Sequence, residues 1–196
     1  LNDSKVKSDK ARFLWEELAQ CEELAIDFLK SYLTVERQIP LENYDDLIAS
    51  GLLRYLPASR SNPAAVIHPI FSIDPDGQLL ERVTMIQLIR SQKSTGTIVK
   101  NRKVKIGSGG HGLVLPPLEA SDESGSVITE GLENALSFRN RYPKCKIFIT
   151  FGKSNFHHVP RLFSRGDLVI LIADHDKSAN LAQSGQFAAS ELRKSL

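Results

Sequence analysis

Residues 168–174 read LVILIAD, an unbroken apolar run that ends on an acid. A short run of this kind fits a strand covered on both faces, which is the condition of strands in parallel sheets flanked by helices. The segments ahead of it agree. VIT at 127–129 predicts a short strand, 131–141 a helix, 145–150 a strand and 155–163 a helix, and 182–195 closes with another helix. Such alternation predicts βαβ crossovers and a parallel sheet.

The first half of the chain has a different period. Over residues 8–34, apolar positions Phe13, Leu14, Leu18, Ala19, Cys21, Leu24, Ala25, Phe28 and Leu29 mostly recur at three- and four-residue spacing, predicting one amphipathic helix. A shorter helix is expected over 41–49, ending near Gly51. Residues 52–56, 66–73, 79–90 and 95–106 are rich in Val, Ile, Leu and Thr and read as antiparallel strands. Asp74-Pro75-Asp76-Gly77 between two of them is a hairpin signal, because proline presets φ and glycine tolerates a positive φ. GSGGHG at 107–112 is a turn, and LEASDESGS at 118–126 a linker or loop.

Composition narrows the function classes. No apolar run reaches the roughly 18 residues that span a bilayer, so no membrane association is expected and a cytoplasmic location is. Cys21 and Cys145 show no CxxC spacing and read as reduced thiols rather than zinc ligands. A net charge of +2 is too small to argue nucleic-acid binding by itself. The polar start without methionine suggests a piece of a longer protein.

The chemistry-bearing residues lie in the second half. In open parallel sheets, ligands sit at the carboxyl ends of the strands. Glu130 directly follows VIT, and Asp174 and Asp176 follow LVILIA. If those strands are neighbours, three carboxylates converge on one edge, a hard-oxygen set suited to Mg²⁺ or Mn²⁺. Each motif alone also has a plain reading: Glu130 as a helix-capping acid and the DHD triplet as a common solvated pair. His175 alternates away from its aspartate neighbours if the chain is extended there, and is not taken as a ligand.

VITEGLENALSF followed by LVILIADHDKSANLAQSGQFAASEL resembles the Toprim fold, shared by topoisomerases, bacterial-type primases and some nucleases. The resemblance covers about residues 126–195. In that family a glutamate after the first strand and a DxD after the third hold catalytic metal, and they match Glu130, Asp174 and Asp176. The wording EG-x-E-x-ALS with DHD and SGQ-x-AA is similar to phage- and plasmid-encoded primases, often fused to helicases. AIDFLKSYL, LLRYLPA, HPIFSIDPDG and KVKIG resemble, more loosely, the segment that precedes Toprim in those proteins. Two features depart from the pattern. A further acid common in bacterial-type primases is replaced by Asn134, leaving Glu133 as a nearby acid that is either an outer partner of the metal or a solvated helix residue. Additional acids beyond a fourth strand would fall after Leu196.

Arg90, Lys93, Lys100, Arg102, Lys103 and Lys105 form a basic run with no acid among them. It would grip a template backbone, or simply protect the edge of a sheet. Arg54, Arg60 and Arg82 are possible extensions of it. Lys177, just after the DxD, and Gly131 are candidates for nucleotide contact. GSGGHG could approach a phosphate or act as a hinge, and lacks the GK[ST] ending of a Walker A loop. His68 reads as a satisfied core histidine, and His157 and His158 as loop residues without an assignable partner.

The expected architecture is therefore α+β: a helical lead-in over 1–51, a mostly-β basic subdomain over 52–117, and a parallel α/β Toprim domain over 126–196. What the resemblance implies is a DNA primase core using Mg²⁺ or Mn²⁺, a single-stranded DNA template and nucleoside triphosphates, with a replicative helicase fused or separate. A Toprim nuclease, or a non-catalytic module that binds single-stranded DNA or a helicase, are the alternatives.

Overall fold

The computed structural model describes residues 2–19, 23–60, 63–90, 103–120, 125–163 and 168–172. The chain is mixed α+β and falls into two compact units, one comprising 1–72 and 81–110, the other 73–80 and 111–196. Among the described residues no helix is long and apolar enough to cross a membrane.

The first unit carries α1 (Asn2–Phe13), α2 (Glu23–Lys30), α3 (Asp45–Ala49) and most of a four-stranded antiparallel sheet. Its strands are β1 (Arg54–Leu56), β2 (Ala65–Ile73), β3 (Leu79–Arg90) and β4 (Lys103–Gly107), in that order across the sheet. The single helix expected over 8–34 is interrupted. After α1 the chain takes a π-helical turn over Leu14–Leu18 and becomes extended at Ala19, with ψ 131. The interruption changes which side chains are covered: Ala11, Trp15, Ala25 and Leu29 are buried, whereas Phe13 and Leu18 are exposed. No glycine or proline marks this break, and a turn that leaves three- and four-residue spacing intact is invisible to a periodicity argument.

Ala11 and Trp15 pack on Ala65, Ile67, Ile86 and Leu88 of the sheet. The Arg54 guanidinium stands 4.1 Å over the Trp15 ring and donates to the Trp15 carbonyl at 2.8 Å and, through Nε, to Gly51 O at 3.0 Å. That carbonyl lies in the π-helical turn, so Arg54 serves as a buttress there. His68, inside β2, is fully buried and its Nε2 is 3.1 Å from Gln87 Oε1, as a satisfied core histidine requires.

The β2–β3 turn follows the expected chemistry. Asp74 Oδ1 accepts from the backbone N–H groups of Asp76 (2.9 Å) and Gln78 (2.8 Å), and Gly77 takes φ 82. An aspartate that mimics a backbone acceptor and a glycine free to turn left-handed are what DPDG provides.

The second unit is built on β5 (Leu113–Leu115), β6 (Ser126–Thr129), β7 (Lys146–Ile149) and β8 (Val169–Ile172), ordered β5-β7-β6-β8. Strands β7, β6 and β8 are mutually parallel. β5 runs antiparallel to β7 at the edge, so the sheet is mixed, where the sequence suggested only parallel strands. Leu113-Val114-Leu115 is too short between a glycine-rich turn and two prolines to register as a strand by pattern. α4 (Leu132–Phe138) follows β6 and buries Leu132, Ala135 and Leu136. The helix expected over 155–163 is instead 3₁₀, over Lys153–Leu162, and includes Pro160. The expected 182–195 helix and the part of strand 95–106 before Lys103 lie outside the described residues.

Candidate functional site

The register of the second sheet draws one line across four strands. Leu113 pairs with Ile149, Ile149 with Thr129, and Thr129 with Ile172. Because β6, β7 and β8 are parallel, their carboxyl ends share one edge. Glu130 is the next residue past that line on β6. This is the edge at which parallel sheets assemble ligand sites.

The backbone at this edge is tightly fixed. The Thr129 carbonyl accepts from both the N–H (2.9 Å) and the hydroxyl (3.3 Å) of Thr150, and Asn155 Nδ2 donates to Thr150 O at 2.7 Å. Beyond Thr150 the chain turns through two left-handed residues, Phe151 at φ 54 and Gly152 at φ 137. Phe151 is buried, so packing holds a conformation that a bulky side chain ordinarily avoids. Gly131 differs. Its φ is −132, and no described atom lies within 4 Å of where a Cβ would stand. Among the described residues neither conformation nor crowding demands glycine there.

Glu130 is half-buried. Asp174, Asp176 and Lys177 lie outside the described residues, and among the described residues no group of three or more metal-ligating side chains occurs. Glu133 is 8% exposed, in the first turn of α4, so the reading of it as a solvated helix residue is corrected. The same helix leads into Arg139, buried at 2% exposure, whose Nη2 donates to Pro116 O at 2.8 Å just past β5. The buried Glu133 in α4 and the buried Arg139 just after it mean that this segment is anchored through polar contacts as well as through its apolar face.

Of the basic run, Lys93, Lys100 and Arg102 lie outside the described residues. Lys103 and Lys105 are exposed on β4, an edge strand of the first unit. Two residues apart, they share a sheet face, opposite Ile89 and Gln87 respectively. Arg90 follows Ile89 and so falls on the other face by strand alternation.

The sequence did not foretell a cluster of bases at the edge of the second sheet. His111 precedes β5, and His157 and His158 lie in the 3₁₀ segment after β7. The His111 and His158 rings stack with centroids 3.7 Å apart at 28°, and His157 and His158 are 3.8 Å apart at 42°. His111 Nδ1 accepts from the Ile73 backbone N–H at 2.9 Å, which places its proton on Nε2 when neutral. Burial, aided by the positive charges of His157 and Arg161, lowers the His111 pKa. For His158, burial and then repulsion from His111, His157 and Arg161 push the value down to about 4. Among the described residues the buried His158 Nδ1 atom has no hydrogen-bond partner. Only the HH doublet hints at this cluster in the sequence, and nothing there ties it to His111.

A cavity of about 390 Å³ lined by Gly77, Ser126, Lys146, Phe148 and Phe163, among others, opens at the other end of the sheet. Ser126 and Lys146 are the first residues of β6 and β7, so it is separate from the edge that carries Glu130.

Compared with known proteins, the chain matches no family model, no curated protein and no solved structure.

Proposed function

We propose that this chain is the catalytic core of a Toprim-type DNA primase, in which Glu130, Asp174 and Asp176 hold Mg²⁺ and the product is a primer copied from single-stranded DNA. The observation that supports it is the in-register pairing of Thr129 with Ile172 on parallel strands. Glu130 follows the first by one residue. Asp174 follows the second by two, a tether of about 7 Å at full extension.

The donor chemistry fits the ion. Three carboxylates supply hard oxygens and leave coordination positions for water and phosphate. When bound, Mg²⁺ supplies the positive charge that offsets negative charge on the reacting phosphates. The chain's own contribution is placement. Thr150 clamps the Thr129 carbonyl and so fixes where the backbone releases Glu130, and no described residue crowds Gly131 beside that carboxylate. Lys103 and Lys105, exposed on an edge strand, hold template phosphates in this reading, together with the other bases of 90–105. Holding reactants in a defined geometry contributes to rate without a side-chain base.

The test is primer synthesis by the full-length protein with Mg²⁺, nucleoside triphosphates and a single-stranded template. Glu130→Gln and Asp174→Asn each abolish product in this reading; unchanged synthesis in both overturns it. Template shortening without triphosphates, lost in the same variants, would instead identify a nuclease built on the same carboxylates.

A further inference from the structure

We propose that His111, His157, His158 and Arg161 form a phosphate-binding cluster in the second unit, with His111 at the sheet edge that Glu130 follows. The inference rests on the proposed function for its physiological ligand, the phosphates of a nucleotide or a nucleic acid, and on the geometry of the second unit for its location.

Three observations carry it. The first is position. Leu113 and Thr129 both pair with Ile149, so β5 and β6 are two strand spacings apart, roughly 10 Å. His111 lies two residues beyond Leu113, past the same line across the sheet that Glu130 lies past. A polyphosphate extended along the edge covers such a separation.

The second is composition. The electrostatic neighbours that shift His111 are His157 and Arg161, and those that shift His158 are His111, His157 and Arg161. All are bases. The Arg161 guanidinium raises the local potential and favours an anion. His157 and Arg161 are exposed, so an anion can reach them from solvent. The Arg161 fork matches phosphate oxygens, and imidazole N–H groups add donors. The backbone beneath is fixed as well, because a Cβ at Gly77 would run into the Arg161 carbonyl.

The third is ring geometry. Stacked imidazoles direct their nitrogen lone pairs within nearly parallel planes rather than at one point. That arrangement suits a surface of donors and disfavours a shared metal ion. His111 and His158, both with lowered pKa values, are neutral at pH 7, and neutral rings tolerate their stack. An anion bound against it stabilises the imidazolium form, so binding takes up a proton and tightens as pH falls.

The experiment follows the histidine Cε1–H resonances of the full chain by NMR, in EDTA and without divalent metal, during titration with tripolyphosphate at pH 6.0 and 7.5. The expected result is movement of the His111, His157 and His158 signals with His68 static, tighter binding at pH 6.0, and affinity about tenfold weaker in Arg161→Gln. His157→Gln is the second variant and weakens binding in the same direction. A parallel titration with an abasic oligodeoxynucleotide separates the two phosphate sources. Response to tripolyphosphate alone assigns the nucleotide tail, and response to the abasic strand assigns the nucleic-acid backbone. The proposal is overturned if neither probe moves the three resonances at pH 6.0, or if both variants bind as tightly as the wild type. Because metal is absent throughout, a failed primer-synthesis assay leaves this outcome standing.

Discussion

Thr129 of β6 and Ile172 of β8 are paired in parallel register, so the two strands point towards the same edge of the sheet. This relationship makes Glu130 and the Asp174–Asp176 segment a candidate joint site. Acids distant in sequence come together when their strands are adjacent, parallel and of matched length. β6 and β8 are adjacent and parallel over Ser126–Thr129 and Val169–Ile172.

The strand that carries Glu130 is also central to the core of the second unit. Ile128 is fully buried and packs with Ile73, Phe148, Phe156 and Val159. Ile128→Ala is expected to lower unfolding free energy by about 2–5 kcal/mol in urea titrations. A loss under 1 kcal/mol would show that this core is not packed as described.

Two glycines near the site should respond oppositely to alanine. Gly152, at φ 137, is in a region alanine enters only with strain, so Gly152→Ala should cost more than about 1 kcal/mol. Gly131→Ala should stay within about 1 kcal/mol, since its φ of −132 is ordinary and a Cβ meets no described atom. Thermal denaturation of the two variants side by side measures the contrast. If Gly131→Ala falls in that space, it interferes with ligand binding while leaving the fold intact.

His158 gives stability a pH dependence of defined sign. Its folded-state pKa of about 4 lies below the ordinary histidine value of 6.5. The unfolded chain therefore binds the proton more readily, and this stabilisation is complete above pH 6.5 and lost progressively as pH falls towards 4. The melting temperature should drop across that window, and His158→Phe should flatten the drop. A variant that keeps the full wild-type slope would remove His158 as its source.

Lys103 and Lys105 distinguish template binding from simple protection of an edge strand. If each contacts one phosphate, Lys103→Gln and Lys105→Gln should each reduce the slope of log affinity against log salt by about 0.7 for single-stranded DNA. Slopes equal to wild type in both would leave these lysines as an edge device.

Legibility in the sequence tracked how local the signal was. β2, β3 and the DPDG turn could be read because richness in Val, Ile, Leu and Thr, and the turn residues Pro75 and Gly77, act within a few residues. VIT and LVILI could be read for the same reason. The break after Leu18 could not, since spacing continued through it, and burial shifted to Trp15 with no composition cue. β5 was too short to carry a pattern. The candidate site was half legible: Glu130 could be placed at a strand end from its neighbours alone, but the adjacency of β6 and β8 is a long-range property. Burial of Glu133 depends on how α4 packs, so the sequence could not decide between a solvated residue and a covered one. The histidine cluster was missed because His111 meets His157 and His158 only through tertiary structure.

Iron-directed cleavage tests the central claim most directly. With Fe²⁺ replacing Mg²⁺, ascorbate and peroxide generate hydroxyl radicals at the bound ion, which cut the backbone close to it. The account predicts cuts near residue 130 and near residues 174–176 from the same site, both suppressed by excess Mg²⁺ and both lost in Glu130→Gln. Cleavage at only one of the two segments, or cleavage near 174–176 that survives Glu130→Gln unchanged, would contradict a shared metal site.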